Sequence, residues 1–358
     1  MSRVLILKFG AIGDALMVVP AAHALHLQGH TIDWVCGPTV APLLALYPFI
    51  NIIVADDRAI LRGSPAVRTL AILKLWRTLA RNSYHLCATL YYDSRYKILA
   101  IPIRASRKIM LSRTDREFTL IDGRHHTDEY ARILTGRKDT VTPSHLSPIA
   151  PQDLPPSPLP RTAHKKRIAI APAGARNLMS DDALRRWPAE NYVALTRHLL
   201  AANFEVVLTG GPDDHWITPH FAALPVTNLI GELSLPQLAA VYQDSDAVIT
   251  HDTGSLHIAG ITATPLISIF GPVDPAGRNP RRPGATSIWG GEGFACRPCY
   301  DGRNYAPCDN NLCMAQVTPA MVFAQVEIAL AEVANAPISP DRILVPSQLI
   351  QITEGPSR

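Results

Sequence analysis

Residues 4–35, VLILKFGAIGDALMVVPAAHALHLQGHTIDWV, decide the fold. Val4 to Leu7 form a short continuous apolar run, the pattern of a parallel strand covered on both faces. The run leads straight into Gly10, Gly13 and Asp14. From Ala15 onward apolar positions recur at helical spacing until Gly29, and Thr31 to Val35 reads as the next strand. Strand, glycine loop, helix, strand is the unit of an open α/β sheet, whose chemistry sits beyond the carboxyl ends of the strands. The segment also mimics a secretory signal peptide, with Arg3 in front and small residues from Ala21 to Ala24. Lys8 and Asp14 interrupt the apolar stretch that such a peptide needs, whereas a loop between strand and helix uses both.

At 358 residues the chain is longer than one hydrophobic core usually grows, which predicts two domains. No uninterrupted apolar window reaches the roughly 18 residues of a transmembrane helix, so the expectation is a soluble cytoplasmic protein. The 31 prolines are concentrated, most densely in VTPSHLSPIAPQDLPPSPLPRTAHKKR, residues 141–167, which shows neither helical nor strand period. This reads as a semi-rigid linker. The expected division is a first Rossmann-like domain over 1–142, a linker over 143–166, a second Rossmann-like domain over 167–336, and a tail or strap over 337–358.

The second half repeats the opening pattern. RIAIAPAG, residues 167–174, is an apolar strand followed by a glycine loop. A helix opens near Pro188, a strand spans Phe204 to Leu208, and helix, strand, loop, helix and strand follow through Pro272. Alternation over both halves predicts an α/β fold of two doubly wound domains facing a ligand cleft. The most informative loop is THDTGSLHIAG, residues 250–260. Its strand delivers the chain to Asp252, and Thr253, Gly254 and Ser255 open a helix whose amides and dipole suit a phosphate. An ordinary helix start capped by Asp252 or Thr253 is the alternative. The similar loop ending at Gly174, with Arg185 and Arg186 shortly after, favours a diphosphate clamp. His257, one turn into the helix, reads equally as a core histidine or a ligand contact.

The net charge of +4 conceals an uneven distribution. Between Asn51 and Thr140, 17 Lys and Arg stand against 9 Asp and Glu, so this region carries +8 and the remainder −4. Such an excess, which includes Arg62, Arg104 and Arg107, predicts an anionic partner: a phosphorylated or carboxylated glycolipid or an anionic membrane surface. Nucleic acid is disfavoured, because no zinc finger, RNP-type aromatic motif or continuous basic helix accompanies the charge. The sequence also lacks a dinucleotide G-x-G-x-x-G after its first strand, a Walker G-x-x-x-x-G-K-[ST] and a nucleophile elbow around Ser255.

Together, VLILKFGAIGDALMVVPAAHAL, the stretch from Gly174 to the RRWP ending at Pro188, NLIGELSLPQLAAVYQDSDAVITHDTGSLHIAG, IFGPVDP and HHTDEYARIL resemble the motif set of the ADP-heptose lipopolysaccharide heptosyltransferases and their relatives. These form glycosyltransferase family 9, inverting and metal-independent, with the two-Rossmann GT-B architecture. The likeness runs from about Val4 to Val322. It implies that Asp14 is the general base, taking the acceptor hydroxyl's proton as that oxygen attacks the anomeric carbon. A helix N-cap is the other reading of Asp14. Gly10 and Gly13 would let the loop approach the sugars. The resemblance further assigns Asp252, Thr253, Gly254 and His257 to the donor loop. Arg185 stands at the position of a lysine that neutralises the leaving phosphate, Asp213 or Asp214 near the ribose, and Leu233 against the base. It implies a nucleotide-diphosphate sugar as donor with no cofactor, an anionic glycolipid acceptor, and peripheral contact with the cytoplasmic face of the inner membrane.

CRPCYDGRNYAPCDNNLC, residues 296–313, holds Cys296, Cys299, Cys308 and Cys313. The pattern resembles a structural zinc knuckle, although its gaps of eight and four residues match no recognised zinc spacing; free thiols and disulfides are the other readings. Cys36 and Cys87 read as core. Two further functions fit the architecture, a transferase using another nucleotide sugar and a nucleotide-sugar epimerase, and a noncatalytic glycan-binding protein is a third.

Overall fold

The computed structural model describes residues 2–138, 140, 144–176, 181–335 and 341–353. The chain divides into two units, Met1–Asp153 and Leu154–Arg358. The proline-rich stretch is shared between them. Tyr47 donates to the Ile149 carbonyl, and the Leu146 amide to Asp128, on the first unit. The guanidinium of Arg167 donates to the carbonyls of Leu159 and Pro160 on the second. The sequence expectations for residues 141–143, 177–180, 336–340 and 354–358 fall outside the described residues.

The first unit is a five-stranded parallel sheet of β1 (Arg3–Leu7), β2 (Thr31–Cys36), β3 (Ile50–Val54), β4 (Ser83–Thr89) and β5 (Arg104–Met110), in the order β3-β2-β1-β4-β5. Parallel strands covered on both faces need continuous apolar runs, and β1 supplies one. Leu5 and Leu7 pack with Ile72, Leu75 and Leu79 of the helix Pro65–Leu79. The helix Ile12–Leu27 packs against the helix His126–Thr135. The strand order reverses direction at β1, so the loop after β1 lies at the topological switch point where such sheets bind ligands.

The second unit is a seven-stranded parallel sheet in the order β12-β11-β10-β9-β6-β7-β8. Its strands are β6 (Arg167–Ile170), β7 (Glu205–Leu208), β8 (Thr227–Asn228), β9 (Ala247–His251), β10 (Leu266–Phe270), β11 (Ala285–Trp289) and β12 (Arg342–Leu344). Here β6 and β9 are neighbours at the switch point, which sets the loop ending at Gly174 beside the loop beginning at Asp252. Trp187 is buried beneath them, its indole donating to the Val317 carbonyl and its ring meeting Tyr192 edge-on at 4.8 Å. Two doubly wound parallel sheets are the fold class that the sequence predicts. Among the described residues, no helix is long and apolar enough to cross a membrane.

Candidate active site

In the first unit the site is built on the turn from β1 into the helix Ile12–Leu27. Ala11 occupies the cap position without any side-chain cap, and Asp14 is the third helical residue. Asp14 is therefore not the cap. Lys8 Nζ reaches Asp14 Oδ2 at 2.9 Å and the Leu90 carbonyl at 3.2 Å, and lies 4.5 Å from the centre of the Tyr91 ring. Lys8 is buried, which by itself drives an ammonium toward neutrality. The charge of Asp14, with a contribution from Tyr130, outweighs burial and holds the Lys8 pKa above its ordinary value. Asp14 keeps 39% of its side chain exposed, so one carboxylate is tethered from below and open to solvent from above.

The loop itself is fixed by Tyr91. Its hydroxyl accepts from the Phe9 amide at 2.7 Å and the Gly10 amide at 3.3 Å, and donates to the Gly10 carbonyl at 3.0 Å. Tyr91 in turn stacks on Tyr96 at 3.8 Å. The Trp34 indole donates to the Lys8 carbonyl, and the Gly37 amide to the Phe9 carbonyl. A side chain added at Gly10 would meet no atom within 4 Å, so this glycine borders open space, whereas Gly13 is buried in the first helical turn. Arg62 is exposed at the end of the helix Asp57–Arg62, which follows the carboxyl end of β3 and so shares this edge of the sheet.

Arg104 and Arg107 are not brought to that edge. Strand β5 runs parallel to β4 with Arg104 opposite Ser83, which puts Arg104 at the amino-terminal rim of the sheet. Arg107 donates to the Ile133 carbonyl and lines a small pocket with His30 and His85. A count of charge along the chain cannot tell the two rims of a strand apart, and the register can.

In the second unit the two switch-point loops interlock. Gly174 has φ +101°, and a Cβ there would overlap Thr253 Oγ1. That hydroxyl accepts from the buried Ala175 amide at 3.0 Å. Thr253 holds the cap position of the helix Gly254–Gly260, but its side chain makes no capping bond there because it is committed to the neighbouring loop. The capping alternative thus gives way to a loop-to-loop tie.

Asp252 is buried and sits between Arg185 Nη1 at 3.3 Å and Arg278 Nη1 at 3.5 Å. Burial raises its pKa, and Arg185, Arg278 and His257 more than offset this, leaving it below the usual carboxylate range. Arg185 also pairs with Asp182 at 2.6 Å. Burial works against its charge, and Asp252, Tyr305 and Asp182 prevail, so its pKa is raised. Arg186 donates to the Gly174 carbonyl at 2.8 Å and ion-pairs with Asp181. His257 is buried one turn into the helix. Beneath the loop, His251 is wholly buried against the Tyr192 hydroxyl at 2.9 Å; burial, reinforced by Arg185, lowers its pKa to about 3 and keeps it neutral.

Of the two acidic candidates after β7, Asp213 is exposed, while Asp214 is buried and folds back to accept the Gly211 amide at 2.8 Å. Leu233 immediately precedes Ser234, which caps the helix Leu235–Gln243 in a capping box with Gln237. All four clustered cysteines are free thiols, Cys296 and Cys308 exposed and Cys299 and Cys313 partly buried. Among the described residues, no three His, Cys, Asp or Glu side chains are grouped to hold a metal ion. The cysteine segment adjoins the site: the Asn311 amide group donates to the Arg186 carbonyl, and the Cys299 amide to the Pro272 carbonyl.

Sequence reasoning missed Lys8 as a partner for Asp14, although a lysine at the strand end and an acid in the first helical turn is a readable spacing. It also missed Arg278. That residue follows IFGPVDP by three positions and is turned toward Asp252 by the Asp274-capped turn Pro275–Gly277.

Two doubly wound parallel sheets, each carrying its polar cluster at the switch point, are the GT-B fold. The profile of glycosyltransferase family 9 (heptosyltransferase) matches residues 72–308, and the chain belongs to that family. It is similar to lipopolysaccharide heptosyltransferase 3 of Escherichia coli, 24% identical over 338 residues that cover 88% of this chain and 95% of the relative. Lipopolysaccharide core heptosyltransferase OpsX of Haemophilus influenzae is 25% identical over 284 residues, 74% of this chain and 78% of that one. In fold it resembles E. coli ADP-heptose LPS heptosyltransferase II, with a TM-score of 0.70 at 19% identity over 93% of this chain and all of the other. The protein is thus a glycosyltransferase of the heptosyltransferase type.

Proposed function

We propose that this enzyme transfers heptose from ADP-heptose to an anionic lipopolysaccharide-core or related glycolipid acceptor at the cytoplasmic face of the inner membrane, with inversion and without a metal ion. The observation that carries the reading is Asp14, held on one side by buried Lys8 and open to solvent on the other. A carboxylate in that position suits a general base: it accepts the acceptor hydroxyl's proton while the oxygen attacks the anomeric carbon opposite the leaving diphosphate. Gly10 and Gly13 shape the loop, and Arg62 on the same rim supplies charge for an anionic acceptor.

For the donor, Gly174, Thr253 and Gly254 bring backbone close to the diphosphate. Arg185 and Arg278, fixed through Asp252, contribute positive charge near the leaving group, with His257 behind them. Asp213 and the Leu233 backbone serve the ribose and base. Support comes from the named relatives, which are lipopolysaccharide heptosyltransferases, and from a structural neighbour solved with ADP.

Calorimetric titration with ADP, UDP, GDP, dTDP and NAD tests the donor. Selective binding of ADP is expected. Selective binding of another nucleotide would replace ADP-heptose as donor, and no binding by any of the five would overturn the transferase site proposed for the second unit.

A further inference from the structure

The helix Pro65–Leu79 buries Ile72, Leu75 and Leu79, yet it is apolar on its solvent side as well. Val67, Leu70 and Leu73 are all exposed, Leu70 to 70%. At 100° per residue Leu70 lies at the centre of that outer face, with Val67 and Leu73 about 60° to either side. Between them fall Lys74 and Arg77, both exposed. The Trp76 indole donates to the Ile98 carbonyl at 3.1 Å, which brings the turn Ser94–Ala100 alongside. That turn adds exposed Ile98 and Ile101, with Lys97 beside them.

Isolated exposed aliphatics are ordinary on a protein surface, but five gathered on adjoining elements are not. Along this stretch of the sequence the charge is overwhelmingly positive. Between Arg58 and Thr114 the sequence has twelve Lys and Arg and a single acid, Asp93, and Asp93 is engaged by Arg95 at 2.7 Å.

We propose that this face docks the first unit on an anionic phospholipid bilayer, with Leu70, Leu73 and Ile101 entering the interface and Lys74, Arg77 and Lys97 meeting lipid phosphates. An aliphatic ridge interleaved with cations is the composition of an interfacial helix. A second copy of the chain is a poorer occupant, since the same cations would face one another across a two-fold contact. A nucleic acid would leave the aliphatics without a role.

Docking is independent of which sugar is transferred, and the test needs neither donor nor acceptor, so either proposal can fail alone. The full chain is sedimented with vesicles of phosphatidylglycerol and phosphatidylethanolamine, and with vesicles of phosphatidylcholine. Binding to the anionic vesicles should be at least roughly tenfold stronger and should weaken with salt. L70S/L73S/I101S should lower it by roughly tenfold or more, and K74Q and R77Q by about fivefold each. Leu27→Ser, on another helix and 72% exposed, is the control and should leave binding unchanged. All these positions lie on the surface, so thermal unfolding should stay at the wild-type temperature. Absence of binding, equal binding to both vesicles, or wild-type binding by the triple variant would overturn the proposal. A wild-type dimer that the triple variant loses in sedimentation velocity would instead assign the face to a second copy.

Discussion

Replacing Gly174 by alanine tests the interlock of the two switch-point loops of the second unit. At φ +101° an L-residue costs about 1–2 kcal/mol relative to glycine. The new methyl would also overlap Thr253 Oγ1, with Thr253 Cβ only 3.4 Å away, so the threonine side chain has to turn aside. Turning it removes the acceptor of the buried Ala175 amide, and an unsatisfied buried amide costs about 1–3 kcal/mol. The sum is about 3 kcal/mol. For a unit of this size that corresponds to a fall of roughly 6–12 °C in the second unit's unfolding temperature, read by differential scanning calorimetry. A double-mutant cycle sharpens the test. Thr253→Val keeps the shape and deletes the acceptor, so alone it should cost about 1–3 kcal/mol, but little in the Gly174→Ala background where the bond is already gone. A shift under about 2 °C for Gly174→Ala, or additive effects of the two changes, would refute the interlock.

Asp14→Asn should leave ADP affinity unchanged and lower transfer by roughly 10²-fold or more, measured by single-turnover kinetics; full activity would remove Asp14 from the chemistry. Lys8→Met should cost only about 1–2 kcal/mol, because Asp14 retains its water, yet reduce kcat far more than donor affinity; an unchanged kcat would reduce Lys8 to a packing role. His251 gives a pH dependence. The unfolded chain binds its proton below about 6.5 and the folded chain only near 3, so the unfolded state holds more protons in between and stability falls as pH falls. The limit is about 1.4 kcal/mol per pH unit, or about 3 kcal/mol from pH 6.5 to 4. His251→Gln should flatten urea-unfolding free energies over that window, and an equal slope in the variant would show that His251 is not responsible.

The strands and the glycine loops were legible because they are local. An apolar run such as Val4 to Leu7 and the helical spacing after Ala15 need no knowledge of the rest of the chain, and the helix and β2 follow with shifts of at most three residues at their ends. The turn from Asp252 to Gly254 was legible for the same reason, since it is a contiguous passage from strand to helix. What composition could not supply is direction in space. Arg104 and Arg107 contribute to the basic excess as fully as Arg62 does, yet the strand register sets Arg104 at the opposite rim and Arg107 in mid-strand opposite Leu86. Nor could it supply partners that meet only when the sheet assembles, such as Arg278 with Asp252 or Thr253 with Ala175.

The end of the second sheet carries a practical consequence. Strand β12 pairs with β11 and so takes the outermost position, Leu349 reaches the core, and Ser347 is held to Glu292 through both its amide and its hydroxyl. A chain cut before Arg342 would leave β11 with a bare ladder of amides and carbonyls beside freshly exposed aliphatic surface, a template for edge-to-edge polymerisation. Shortened versions made to improve crystals should therefore precipitate where the intact chain stays dispersed, and Arg342 to Leu349 belongs in any fragment meant to fold.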